Sequence, residues 1–272
     1  MALTLLTILA TMSTMAGAIP GQAHISFLRT KASSGSCTCK KWKETYANGV
    51  ECGSNAEFFL ASGKTKLPRQ ELREAKVYLG EEFCTRFYET LDDNYCVNIN
   101  MGADEGEWCY VDSACSSLNG GERTVEGVSW KKCQHEQDKM LRDYSPEELA
   151  ELATKANLDL GLLHKMSYPL YKGHLWKDVS GFWNVPVTAV SSVPQSSQQY
   201  FPSPKELQDW LESRWGDGSI TPELRQEMQL IKDSGKPYSF DMDLDNHPPH
   251  VIVEGDKVFL VNGGELSCVS GC

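Results

Sequence analysis

Eight of the ten cysteines lie between Cys37 and Cys133, in the order C-x-C, x12, C, x31, C, x11, C, x12, C, x5, C, x17, C. Within that block the sulfurs sit among rings: Phe83-Cys84, Tyr95-Cys96, Trp108-Cys109-Tyr110 and Trp130-Lys131-Lys132-Cys133. Cysteine and aromatic side chains together can fill a small core that aliphatic residues alone would not. Cross-links and rings therefore set what the first half of the chain can fold into.

The cysteines admit two chemistries, disulfides or a metal centre. Zinc sites favour C-x2-C pairs or histidines spaced for one face, and the spacing here offers neither. An even count of ten fits an oxidised framework, of Cys37, Cys39, Cys52, Cys84, Cys96, Cys109, Cys115, Cys133, Cys268 and Cys272. Adjacent cysteines such as Cys37 and Cys39 would close a strained ring, so they are expected to reach two different partners. Which cysteine pairs with which is not fixed by the sequence.

The first 18 residues carry no charge, hold an apolar run over Ala2–Ala10, and end in Ala16-Gly17-Ala18, a small-x-small pattern. That reads as a secretory signal without its usual basic start. The run is too short to cross a bilayer, which takes about 20 apolar residues. The compartment expected is the extracellular space, or an oxidising lumen entered by the same route. A formal charge of −11 excludes the basic face that nucleic-acid binding requires. No nucleic-acid partner is expected, nor any transmembrane segment once the signal is removed; a protein or a carbohydrate is the expected kind of partner.

Residues 19–36 read as a leader and 37–133 as the cysteine-rich domain. Within it, Leu72, Ala75, Leu79, Phe83, Phe87 and Leu91 recur at three- and four-residue steps and predict one amphipathic helix. Short strands follow at Val97–Asn100, Trp108–Val111 and Val128–Trp130, with a turn at Asn119-Gly120-Gly121. The W-C-Y-V segment followed by W-x-x-C resembles the last part of a kringle and, more distantly, a fibronectin type II module. That likeness spans about 26 residues. It departs from the kringle pattern in the late second Trp and in Cys115, and it implies a small extracellular binding module without fixing its ligand residues.

Cysteines then vanish until Cys268. Residues 134–175 read as a helical connector, in which Ser145-Pro146-Glu147-Glu148 has the form of a capped helix start. Similar starts occur at Ser203-Pro204 and Thr221-Pro222. Residues 176–272 read as a smaller α/β domain that ends in a hairpin over His250–Val253 and Lys257–Val261. A proline ahead of such a hairpin is similar to the second half of a thioredoxin-like fold, but the C-x-x-C of that family is absent. The fold class expected is α+β.

Functional residues are less sharply marked. Trp108, Tyr110 and Trp130, or Trp176 and Trp183, are candidates for an exposed aromatic binding surface, with core packing as the competing role. Asp241, Asp243 and Asp245 alternate as calcium ligands do. Asn246 stands where an EF-hand has glycine and Ile252 where it has the bidentate Glu. What is left is a looser site for Ca2+ or another divalent cation, to which His247 and His250 could add nitrogen. No catalytic set assembles: G-x-S-x-G is absent, and Gly63-Lys64-Thr65 lacks its first glycine. Cys268-Val269-Ser270-Gly271-Cys272 is either a local staple or an exchange pair.

The function expected is a secreted or lumenal, disulfide-stabilised binding or structural protein without catalytic activity and without a resident cofactor. Two alternatives stand beside it. One is a thiol–disulfide or metal-assisted hydrolytic enzyme using the C-terminal domain; the other is a lumenal subunit of a larger complex.

Overall fold

Disulfides close the first block on itself. Cys37 bonds Cys115, Cys39 bonds Cys109, Cys52 bonds Cys84 and Cys96 bonds Cys133, with Cα separations of 4.7, 5.6, 5.9 and 6.3 Å. The C-x-C cysteines thus reach two different partners, Cys109 within a strand and Cys115 just past its end, and pin the start of the block to that segment. The structure, a computed structural model, describes residues 35–58, 77, 80–99, 104–124, 127–185, 205–206, 209, 219–242, 249–262 and 264–272. All of them belong to one unit, Lys31–Cys272.

The sequence elements appear as α+β, with two antiparallel sheets. In the first, β1 (Val97–Asn98), β2 (Glu107–Asp112) and β3 (Val128–Lys132) lie in sequence order. Cys109 faces Lys131 across the sheet and Tyr110 faces Trp130. Helix α1 (Trp42–Ala47) covers β2 with the Trp42 ring, 4.8 Å from that of Trp108 and edge-on to it. Its indole N–H donates to the Tyr95 carbonyl at 2.7 Å, which satisfies the one polar atom that burial would strand.

The aromatic stripe expected to form an ordinary helix is wound differently. Gly80–Tyr88 is a π-helix, whose wider turn shows in the Glu89 N–H donating to the Cys84 carbonyl at 2.8 Å. The extra residue per turn widens the buried face to Phe83, Cys84, Phe87 and Tyr88, so the helix carries both its disulfide and its rings inward. Leu72, Ala75 and Leu79 lie outside the described residues.

Helix α2 (Pro146–Ala156) starts as its sequence dictates. The Glu148 N–H donates to the Ser145 hydroxyl at 3.2 Å, and the Glu148 carboxylate accepts the Ser145 N–H at 2.8 Å. Helix α3 (Leu160–Ser167) has all eight residues buried, and it touches β1 of the first sheet and a central strand of the second. Asn98 of β1 donates its side-chain amide to the carbonyls of Lys165 and Tyr168, at 3.1 and 2.7 Å, and so caps the end of α3. The short helix α4 (Trp176–Val179) and α5 (Pro222–Ser234) follow; Leu224, Met228 and Ile231 form the buried stripe of α5.

The C-terminal hairpin is the centre of the second sheet: β4 (Tyr238–Asp241), β5 (His250–Glu254), β6 (Lys257–Asn262) and β7 (Glu265–Ser270), antiparallel in sequence order. The middles of its two central strands, residues 251–253 and 258–261, are apolar on both faces because both faces are covered. Ile252, Phe259 and Val261 point into the core that α2, α3 and the cysteine block build. Val251, Val253, Val258 and Leu260 point the other way, to Trp176, Trp183, Met228 and Phe240. The two-residue period of a strand divides one hairpin between two cores.

Candidate binding cleft

A cleft of about 580 Å3 opens where the first sheet, the start of α2 and the edge of the second sheet meet. Arg142 lines it from the short 3-10 turn Leu141–Asp143 that leads into α2. Tyr144, Glu148, Lys236, Tyr238 and Glu254 line it too, together with the titratable side chains of Asp104, His135 and Asp143. The ends of secondary elements place the first five: Tyr144 and Glu148 at the α2 cap, Lys236 after α5, Tyr238 at the head of β4 and Glu254 at the tail of β5.

Arg142 is anchored from behind. Its guanidinium donates to Asp104 at 2.8 Å and to the Asn98 side-chain oxygen at 2.7 Å. Its Nε lies 3.5 Å from the Glu107 carboxylate, and its backbone N–H donates to the same oxygen at 3.2 Å. Glu107 is fully buried in β2, and its second carboxylate oxygen has no hydrogen-bond partner among the described residues. Burial drives its pKa well above the ordinary value, against the pull of Arg142. For Arg142, burial acts to lower the pKa, but the Glu107 and Asp104 charges outweigh it and the net shift is upward. The cleft therefore holds a permanent, oriented cation whose back is tied to the core.

Two further buried carboxylates lie elsewhere. Glu57 accepts hydrogen bonds from the hydroxyls of Tyr46 and Tyr110, at 3.0 and 2.5 Å, and from the Asn55 N–H at 2.9 Å. Burial raises its pKa, and those hydrogen bonds oppose the rise. Asp138 meets the Lys131 ammonium at 2.7 Å, with both side chains almost fully enclosed. Both groups are enclosed by their own protein partners and read as structural.

The sequence-derived candidates fall into three groups. Trp108, Tyr110 and Trp130 are core, with exposures of 0%, 0% and 4%, so the aromatic surface expected of them does not exist. The same holds for Trp176 and Trp183, buried in the second cluster. Rings beside cysteines were needed to enclose the disulfides, which leaves no face for a ligand. Of the acidic run, Asp241 and His250 are cross-strand partners on β4 and β5. The Lys165 ammonium lies 3.0 Å from the Asp241 carboxylate, and His250 is buried, its ring 6.1 Å from that of His164. Asp243, Asp245 and His247 lie outside the described residues.

Among the cysteines, the sulfurs of Cys39, Cys96, Cys109 and Cys133 all lie within 4.8 Å of one another. They belong to two stacked disulfides, Cys39–Cys109 and Cys96–Cys133, so their metal-binding electron pairs are those of disulfide sulfur and not of thiolate. The sequence reading missed Arg142, Asp104, Asn98 and Glu107. Only Glu107 carried a signal, as a carboxylate directly ahead of the Trp108-Cys109-Tyr110-Val111 run.

No match was found when the chain was compared with models of protein families, with curated proteins and with solved structures. The disulfides, and the fact that no helix among the described residues is long and apolar enough to cross a membrane, fit a stabilised extracellular or lumenal protein.

Proposed function

We propose that the chain is a secreted or lumenal binding protein and that the Arg142 cleft takes a carbohydrate. The observation that carries this reading is the lining of the cleft. Two tyrosines offer apolar ring faces with polar tips, and Arg142, Lys236 and His135 stand among four carboxylates, of which Asp104 is paired to Arg142 and Asp143 to His135, leaving Glu148 and Glu254 in the same lining as Lys236. A lining of interleaved donors and acceptors suits a neutral, polyhydroxylated ligand better than an ion of either sign. A volume of this order is that of a small-molecule site. The signal-like first 18 residues and the disulfides support the compartment.

The test is a saccharide array followed by calorimetric titration of the strongest ligand against the wild type, Lys236→Ala and Tyr238→Ala. The expected result is saturable binding that weakens at least tenfold in both variants, with unchanged circular dichroism. An array with no saccharide bound, or variants that bind like the wild type, would refute the reading.

A further inference from the structure

We propose that Cys268–Cys272 is a thiol-exchange site, a disulfide that accepts two electrons from an external dithiol while the other four disulfides stay closed. Three observations separate it from the rest. Both of its cysteines are exposed, whereas every other disulfide has at least one buried partner: Cys115, Cys39 with Cys109, Cys84, and Cys96. Its sequence separation is 4, against 32 to 78 for the others, so opening it releases little of the chain. It also lies at the end of β7, a strand paired on one side only, to β6, among the described residues.

The backbone holds this pair in a fixed approach. Gly271 has φ +78°, and a Cβ there would lie 2.3 Å from the Asp256 carbonyl oxygen, so only glycine lets the tail settle on the β5–β6 turn. Ser270 remains in register with Val258, and Cys268 with Phe259. Reduction would leave this strand pairing intact, which makes the opened form a folded one.

The chemistry balances within the pair and its dithiol partner. A thiolate of the dithiol attacks the Cys272 sulfur, forming a mixed disulfide and expelling the Cys268 thiolate, which takes a proton from water. The second thiol of the partner, as thiolate, then attacks its own sulfur in the mixed disulfide and expels the Cys272 thiolate, which is protonated in turn. The dithiol becomes a disulfide and the protein gains two thiols. Exposed disulfides are those that react in this way, because attack requires access along the S–S axis.

The experiment incubates the folded wild type and a Cys268→Ser/Cys272→Ser variant with graded dithiothreitol, quenches with an alkylating agent, and maps the labels by peptide mass. The wild type should oxidise about one equivalent of dithiothreitol in a fast phase, with both labels in the 265–272 segment and native circular dichroism. The variant should lack that phase at least tenfold. First labels at any of the eight other cysteines, simultaneous opening of all five disulfides, or a fast phase that persists in the variant would each overturn the proposal. None of these outcomes bears on saccharide binding.

Discussion

Arg142 and Glu107 form a buried ion pair at the back of the cleft: one carboxylate oxygen of Glu107 accepts the Arg142 backbone N–H at 3.2 Å and lies 3.5 Å from its Nε. Glu107 is wholly enclosed, and Arg142 is partly exposed where it faces the cleft. Breaking such a pair from one side costs more than removing both charges, because a lone buried ion is left behind. Arg142→Met should therefore destabilise the fold by about 3–5 kcal/mol. Arg142→Met/Glu107→Leu should recover much of that loss in urea unfolding. A double variant less stable than the single one would contradict this account of the pair.

His164 gives the fold an acid-sensitive point. Burial lowers its pKa to about 4 from an ordinary 6.5; its ring Nε2 lies 3.3 Å from the Pro146 carbonyl oxygen, and the rings of Tyr168 and His250 pack beside it. The unfolded chain binds a proton here at a pH where the folded chain does not. The stability contributed is thus present above pH 6.5 and is lost as pH falls to about 4, an effect of about 3 kcal/mol. Glu57 and Glu107, with raised values, act in the opposite sense. Comparison of wild type with His164→Phe isolates the histidine: the wild-type profile should fall more steeply between those limits. Parallel profiles would remove His164 from the account.

Much of this fold was legible because local rules act alone at certain points. The Ser145 cap, the stripe of α5 and the β5–β6 hairpin each follow from a few adjacent residues. The π-helix over Gly80–Tyr88 did not, since a stripe at three- and four-residue steps is compatible with either winding until Cys84 and Tyr88 must also turn inward. The cleft was the least legible part. Asp104, Arg142, Lys236 and Glu254 are far apart in sequence, and each resembles an ordinary surface charge until α3 brings the two sheets together. The tryptophans misled for the opposite reason: a ring beside a cysteine reads the same whether it packs on the disulfide or on a ligand.

Gly121 should tolerate no side chain. A Cβ there would lie 2.0 Å from the Trp130 carbonyl oxygen and 2.7 Å from the Lys131 Cα, both of them backbone of β3 and unable to swing aside. Gly121→Ala is expected to cost about 1–3 kcal/mol, the usual range for overpacking, and to loosen the β2–β3 pair. Thermal unfolding measures it, and an unchanged midpoint would show that the turn can shift without loss.

The disulfides should differ in what they contribute. In the chain-entropy picture, Cys37–Cys115 closes a long ring and stabilises by about 4–5 kcal/mol, whereas the small Cys268–Cys272 ring contributes about 2 kcal/mol. Serine pairs at each position, compared by guanidinium denaturation, should therefore rank in that order. Equal losses would mean that ring size is not what distinguishes the two.

The most direct measurement is hydrogen exchange of the wild-type protein with and without the saccharide that the array selects. Binding in the cleft should slow exchange at residues 142–145 and 236–238, the two segments that bring Arg142, Tyr144, Lys236 and Tyr238 to it. It should leave the Cys268–Cys272 segment unchanged. Protection confined to other surfaces, or none at saturating saccharide, would contradict the assignment of the Arg142 cleft as the binding site.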